Sequence, residues 1–211
     1  LKGIVSRISS VYLSTSAVVF ILLRIGKLSI FDALIHTFGC VSTGGFSCYQ
    51  NNIAHFHSDY IYTVFFCFMF LCSMSYMLVI LVPAHGIRSI FKDSQLRLFI
   101  TIFILATLVI GLDLMAERGF SFFDAFKYSG FESLSIMSTS GYNVTNFNTW
   151  PEFSKSVIFL LLFVGGCAGS TAGGIKVFRI GYLLKLIKRS ISVRLHPNAV
   201  IEIFSHHRIV K

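Results

Sequence analysis

Long apolar segments alternate with short polar ones along this chain, in an order that repeats. Segment 10–23 is uncharged, and segment 60–82 has no charged residue over 23 positions. A helix needs about 20 mostly apolar residues to cross a bilayer, so both segments are predicted to span a membrane, the first together with its flanks. Segment 98–112 is also apolar and predicts a further long helix.

Two shorter helices are predicted between the long ones, and each begins with the same kind of capping sequence. Ser29-x-x-Asp32 precedes the first, over about 31–40, and Ser121-x-x-Asp124 precedes the second. The first short helix has too few residues to cross a bilayer. Each is therefore predicted to enter the membrane without spanning it.

Each short helix leads into a polar loop with the order Ser-Thr-small-Gly-aromatic, at Val41–Ser47 and Met137–Asn143. Gly45 and Gly141 are 96 residues apart, whereas the aspartates of the two caps are 92 apart. The second short helix should therefore be four residues, or about one turn, longer. We predict two copies of one unit: long helix, short helix, polar loop, long helix.

A glycine-rich segment interrupts the last apolar region. Segment 156–175 is uncharged, but five of the ten residues 165–174 are Gly, which costs about 1 kcal/mol each against Ala in a helix. Irregular backbone at membrane depth occurs inside protein or beside a water-filled cavity, so a loop at the pore is predicted. Helix packing through small residues is the alternative. A phosphate-binding loop is excluded because Ile175 and Lys176 break its motif.

Composition supports a membrane protein. The chain is 55% hydrophobic and 13% charged, against about 25% charged residues in soluble domains. Structures that span lipid are helices or closed barrels, and the alternation of barrel strands over about 10 residues is missing. The predicted fold class is an all-α membrane protein with tandem repeats of a potassium-channel-like pore.

Membrane topology accounts for the net charge of +9. With both polar loops outside, 13 of 18 Lys and Arg lie inside, and seven of nine Asp and Glu lie outside. This distribution follows the positive-inside rule, so no nucleic-acid partner is expected. The basic amphipathic stretch 176–194 is predicted to lie on the inner membrane surface or to meet a cytosolic partner. The outer acidic residues are Asp32, Asp59, Asp113, Glu117, Asp124, Glu132 and Glu152.

The polar loops have the chemistry of a cation filter. Small residues between helices can turn backbone carbonyls toward an ion and replace its water, and Gly permits that backbone geometry. Thr43 and Thr139 add hydroxyl oxygens, and the short helices direct their negative ends at the ion. A pair of ordinary outer turns explains one such loop, but not two with matching helices. The residues expected to bind K⁺ are Ser42, Thr43, Gly44, Gly45, Ser138, Thr139, Ser140 and Gly141.

Other chemistries have little support in the sequence. Neither H-E-x-x-H nor G-x-S-x-G occurs, so no enzyme is expected. The five Cys form no C-x-x-C pair, and His55 and His57 are interpreted as part of a wet loop rather than as metal ligands. We expect no cofactor and no metal other than K⁺ as the transported ion.

Three motifs resemble the Trk/Ktr/HKT superfamily, most closely its bacterial TrkH-type subunits. These are the two polar loops, the second with Trp150-Pro151 behind it, and above all the glycine-rich string. His196-Pro197-Asn198-Ala199 is also similar to that subfamily. The resemblance covers essentially all 211 residues.

The resemblance implies a potassium uptake subunit with four helix–pore helix–filter–helix repeats around one pore. It makes the glycine-rich string an intramembrane gating loop beneath the filter. It also implies a homodimer in the lipid of the bacterial inner membrane, with filter loops outward and a cytosolic nucleotide-binding TrkA-like ring on the basic inner face. The gating-loop residues would be Gly165, Gly166, Gly169, Ser170, Thr171, Gly173, Gly174 and Lys176.

The chain holds only part of this pattern. Residues 1–95 and 96–195 are interpreted as the second and third repeats, and 196–211 as the start of a truncated further one. Because two filter quarters cannot surround an ion and Leu1 is not a start residue, we expect a fragment; the alternative is that two chains supply four quarters. Two functional alternatives stay open: Na⁺-permeable or Na⁺-coupled uptake, and a non-conducting assembly subunit.

Overall fold

The computed structural model describes residues 2–86, 93–195, 203–205 and 208–210. Two expectations from the sequence lie outside these residues: the basic loop with Arg88 and Lys92, and the segment His196-Pro197-Asn198-Ala199. The α-helices are α1 Lys2–Ile25, α2 Ile30–Val41, α3 Asp59–Ser73, α4 Tyr76–His85, α5 Ser94–Arg118, α6 Phe122–Met137, α7 Glu152–Leu161 and α8 Val177–Leu195.

Short elements complete the fold. Two 3₁₀ helices, Asn52–Phe56 and Phe147–Thr149, follow the two polar loops. Strands β1 Ile203–Ser205 and β2 Arg208–Val210 pair antiparallel near the end of the chain. Apart from these elements and the connecting loops, the described residues are helical, which confirms the predicted fold class.

Among the described residues, two helices are long and apolar enough to cross a membrane, over Val5–Ile25 in α1 and Ser94–Arg118 in α5. Both leave apolar side chains exposed on their outer surface, including Leu13 and Ile21 of α1 and Leu105 of α5. Such a surface suits lipid, because contiguous exposed apolar patches of this kind are rare on soluble monomers.

The two short helices begin at the predicted caps. The Ser29 hydroxyl accepts a hydrogen bond from the Asp32 amide at 3.0 Å, and the Ser121 hydroxyl accepts one from the Asp124 amide at 3.2 Å. These bonds satisfy one of the amides that a helix start leaves free. Helix α2 has 12 residues and α6 has 16, which confirms the predicted difference of four.

The prediction of one continuous helix over 60–82 is wrong. The chain leaves helical geometry after Ser73 and becomes helical again at Tyr76, giving α3 and α4. Hydrogen bonds to the glycine-rich segment stabilise this break. The Cys167 amide donates to the Ser73 carbonyl at 2.9 Å, and the Tyr76 amide donates to the Gly169 carbonyl at 3.1 Å. Hydropathy alone does not reveal these distant partners.

The glycine-rich segment itself is not helical, as predicted. Helix α7 ends at Leu161, and the chain stays irregular until α8 begins at Val177. Helix packing through small residues is therefore the wrong alternative for this segment. The core lies among α3, α5 and α6, where Phe65, Phe99 and Leu134 are fully buried.

Candidate functional site

The two polar loops have the same backbone conformation. Thr43 and Gly45 have φ values of 54° and 66°, and Thr139 and Gly141 have 59° and 70°. This left-handed region is open to Gly and costly for a β-branched residue such as Thr. The two loops thus share one backbone geometry, in which a Thr and the Gly two residues later both have left-handed φ values and the Thr is strained.

Hydrogen bonding in the two loops also matches. The amides of Gly44 and Gly45 donate to the Gly39 carbonyl at 2.9 and 3.2 Å. In the second loop, the corresponding amides, those of residues 140 and 141, donate to the Ser135 carbonyl at 3.0 and 3.3 Å. The loop amides are therefore directed back to the carboxyl end of the preceding short helix.

This arrangement leaves loop carbonyls available for an ion. In the two polar loops, six backbone carbonyl oxygens accept no hydrogen bond from any residue that the structure describes. Each lies at the negative end of a short helix, where a cation is favoured. They belong to Thr43, Gly44, Gly45, Ser138, Thr139 and Ser140.

The loops lie side by side. A Cβ placed on Gly45 would overlap the Ser140 carbonyl, with the carbonyl carbon only 2.7 Å away, whereas Gly141 has open space at the same point. The Tyr142 hydroxyl, which is fully buried, donates to the carbonyls of His36 and Phe46 at 3.4 Å. The structure thus brings together the two loops that the sequence separates by 96 residues.

The glycine-rich segment touches the second loop directly. The Gly173 amide donates to the Thr139 hydroxyl oxygen at 2.7 Å. The predicted ligand Thr139 therefore has its hydroxyl engaged by this segment, while the Thr43 hydroxyl donates to the Ser42 carbonyl at 2.6 Å. Carbonyls, rather than these hydroxyls, are the free oxygens of the loops.

Glycine is required where the segment folds on itself. A Cβ on Gly165 would overlap the Gly173 carbonyl, and one on Gly166 would lie 2.7 Å from the Ala172 Cβ. Lys176 closes the fold because its ammonium group donates to the Ala172 carbonyl.

Further bonds tie the segment to the break between α3 and α4 and to α5. The Thr171 hydroxyl donates to the Cys72 carbonyl at 3.2 Å, and the Ala168 amide donates to Gln95 Oε1 at 3.2 Å. The predicted members Ser170 and Gly169 also take part, the first through its hydroxyl on the Cys167 carbonyl at 2.7 Å. Gly174, with φ of 68°, makes the last turn before α8.

A polar cleft of about 450 Å³ adjoins the end of the second loop. Carboxamide side chains dominate its lining, and the Asn52 amide reaches the Gly141 carbonyl at 3.4 Å. In the described residues no group of three or more His, Cys, Asp or Glu is placed to hold a metal ion. The carboxamides of the cleft are Gln50, Asn51, Asn52, Asn143, Asn146 and Asn148.

Sequence reasoning missed two residues behind the loops. Glu132, counted above among the outer charges, is fully buried in α6 and accepts a hydrogen bond from the Val144 amide at 3.1 Å. In the sequence, Tyr142 is only the aromatic member of a motif. In the structure, its ring packs on the Phe65 ring, with the two ring centroids 4.9 Å apart. For Glu132, the signal available in the sequence was an acidic residue among the apolar residues of the predicted short helix.

Two units that each insert a short helix and a carbonyl-rich loop define a membrane protein of the channel-like cation transport class. Comparison with known families agrees. The chain belongs to the TrkH family, whose description is "cation transport protein". The model of this family matches residues 5–211.

Individual relatives give the same assignment. The chain is 34% identical to the Trk system potassium uptake protein TrkH of Halomonas elongata over 82% of this chain and 36% of that protein. It is 33% identical to the protein of the same name from Vibrio parahaemolyticus, over 90% of this chain and 40% of that one. The chain thus spans about two fifths of the length of these relatives.

A solved structure is also similar. The crystal structure of the potassium transporter TrkH from Vibrio parahaemolyticus matches with a TM-score of 0.88 and 32% identity. The match covers 93% of this chain and 43% of that one.

Proposed function

We propose that this chain supplies two of the filter loops, and the gating loop, of a potassium uptake transporter. The observation that carries the proposal is the identical backbone of the two adjacent loops, with φ near 60° at Thr43 and Thr139 and near 70° at Gly45 and Gly141. Relatives named as potassium uptake proteins support the choice of ion.

Ion binding would use the backbone. K⁺ loses its water on entering a filter, and rings of carbonyl oxygens replace that water. The proposed ligands are the six loop carbonyls that accept no hydrogen bond within the described chain, those of Thr43, Gly44, Gly45, Ser138, Thr139 and Ser140. The negative ends of α2 and α6 would add attraction for the cation.

Gating would use the glycine-rich segment. Gly173 donates a hydrogen bond to Thr139, so a movement of the segment would be transmitted directly to the second filter loop. The same segment is bonded to the break at Ser73 and to Gln95 of α5, so its position depends on both units.

The remaining arrangement is part of the same proposal. The filter loops face outward in a bacterial inner membrane, and residues 1–95 and 96–195 form two successive pore repeats, with 196–211 belonging to a further one. Two protomers associate, each with its own pore. The basic face of α8, which includes Lys185, Lys188 and Arg189, lies toward the cytosol and meets a nucleotide-binding regulatory ring.

A growth experiment tests the proposal. The full-length protein is expressed in bacterial cells that lack potassium uptake systems, and growth is measured at low K⁺. We expect rescue, because a filter of this type moves K⁺ down its electrochemical gradient. Rescue that requires added Na⁺ would instead favour Na⁺-coupled uptake, and membrane-inserted protein without rescue would favour a non-conducting assembly subunit.

A further inference from the structure

Glu132 lies in α6 with 0% of its surface exposed. Acidic side chains are almost never buried to this extent unless they are paired. The partners here are main-chain and amide groups: Oε1 accepts from the Val144 amide at 3.1 Å. With its nitrogen directed at Glu132, the Asn143 side chain donates to Oε2 at 3.0 Å, whereas the opposite amide orientation would place two acceptors together.

Both carboxylate oxygens therefore hold the segment that directly follows Gly141. The same segment is held from the other side by the first unit, where the Ala54 amide donates to the Asn143 carbonyl at 3.2 Å. Asn143 and Val144 are thus clamped between α6 and the Asn52–Phe56 helix.

Within the described residues, the first unit shows no matching tether at the equivalent position. Gly39 and Ser135 accept equivalent bonds from the two loops, so His36 corresponds to Glu132, each three residues earlier. His36 is equally buried, but neither ring nitrogen has a hydrogen-bond partner among the described residues. Its ring packs instead on Phe56 and Phe65, with centroids 5.2 and 5.9 Å away.

The tether acts on a loop that needs external support. Thr139 and Gly141 both have left-handed backbone, and a non-glycine residue keeps such a conformation only where the surroundings hold it. Carbonyl ligands must also be held to within about 0.5 Å for a site to keep its geometry. A clamp three residues after Gly141 restricts the outer end of the loop in this way.

We propose that Glu132 is a positioning residue that holds the second filter loop and thereby sets selectivity for K⁺ over Na⁺. This inference rests on the proposed function, because it assumes that the loop binds the transported ion. It assigns Glu132 no direct contact with the ion: its oxygens are occupied by Val144 and Asn143.

The test measures the ratio of K⁺ to Na⁺ permeability for the full-length protein in liposomes. Glu132→Ala removes both bonds, and we expect the ratio to fall about tenfold, since two hydrogen bonds are lost and their buried donors are left without an acceptor. Glu132→Gln keeps a side-chain oxygen that accepts from the Val144 amide. Its NH₂ group can donate to the Asn143 side-chain oxygen once the Asn143 carboxamide rotates, so the permeability ratio should stay near wild type. Ser133→Ala is the control, because its equally buried hydroxyl has no partner in the described chain.

A wild-type ratio in Glu132→Ala, or an equal fall in Glu132→Gln and Glu132→Ala, would overturn the inference. If Glu132→Ala does not fold, Asn143→Ala decides, because this half-buried residue carries one of the two bonds. A lowered ratio in Asn143→Ala then supports the tether, and an unchanged ratio overturns it. Wild-type protein that moves no K⁺ would defeat the proposed function instead, so the two failures are distinct.

Discussion

Gly45 has no room for a side chain, because the Ser140 carbonyl of the other loop occupies the place of its Cβ. Its φ of 66° adds a second constraint, since L-residues rarely adopt that region. Gly141 shares the second constraint only, because no atom of the described residues lies within 4 Å of its Cβ position. The two motif glycines are therefore equivalent in backbone but not in packing.

Gly45→Ala should destabilise the full-length protein by about 1–3 kcal/mol, because the new methyl group must displace a backbone carbonyl. Rubidium uptake into liposomes should fall about tenfold, because displacing the Ser140 carbonyl, a proposed ligand, should weaken ion binding by about 1.4 kcal/mol. Gly130→Ala is the control: its nearest neighbour, Thr107 Cγ2, would lie 3.6 Å from the new Cβ. Equal uptake by the two variants would contradict the packing of the loops.

At the scale of the element, the two short helices begin with the same bonds. Ser29 and Ser121 each accept from the amide three residues ahead, and each hydroxyl also donates to the aspartate there at 2.7 Å. The helices differ in length by four residues, yet their carboxyl ends enter loops with the same backbone conformation. One additional turn moves the start of α6 without changing the backbone of the polar loop.

Ser121→Ala should lower the free energy of unfolding by about 1 kcal/mol, because the Asp124 amide loses its capping acceptor. Thermal unfolding of the detergent-solubilised full-length protein measures this as a lower Tm. Ser156→Ala is the matched control, since its hydroxyl donates only to the Glu152 carbonyl one turn earlier and caps no helix start. A Tm loss of the same size in both variants would show that the cap is not responsible.

At the scale of the whole molecule, a hydrogen bond joins the second polar loop to the glycine-rich segment. The Gly173 amide has the Thr139 hydroxyl as its acceptor, and the rest of the segment is bonded to α5 and to the break between α3 and α4. Contacts that lie far apart in the sequence therefore converge on the glycine-rich segment, and one of them reaches Thr139.

If the glycine-rich segment gates the pore as proposed, Thr139→Val should raise basal K⁺ flux about fivefold, because one hydrogen bond worth about 1 kcal/mol no longer holds that segment against the second polar loop. Thr139→Ser keeps the hydroxyl and should behave as wild type. Flux assays in liposomes measure both, with Thr107→Val as the control for loss of a buried, unpartnered hydroxyl. A lower flux in Thr139→Val would show that this hydroxyl serves the ion rather than the gating loop.

Much of the site was predictable because its signals are local. Ser121-x-x-Asp124 and the loop Met137–Asn143 are short motifs, and their repetition at nearly constant spacing predicted the second unit. Five glycines in ten residues likewise predicted irregular backbone at 165–174. Each prediction depends on residues that are neighbours along the chain.

The sequence by itself determined the long helices α1 and α5, the two capped short helices and the loops, because hydropathy, capping and glycine content act over a few residues. Only the tertiary structure decided the break at Ser73, the contact of Gly45 with Ser140, and the burial of Glu132 against Val144. Each of these depends on a hydrogen-bond partner or a neighbouring backbone that folding brings from a distant segment. Local patterns hold no record of such partners, so the way the loops are held emerges only when the two units pack together.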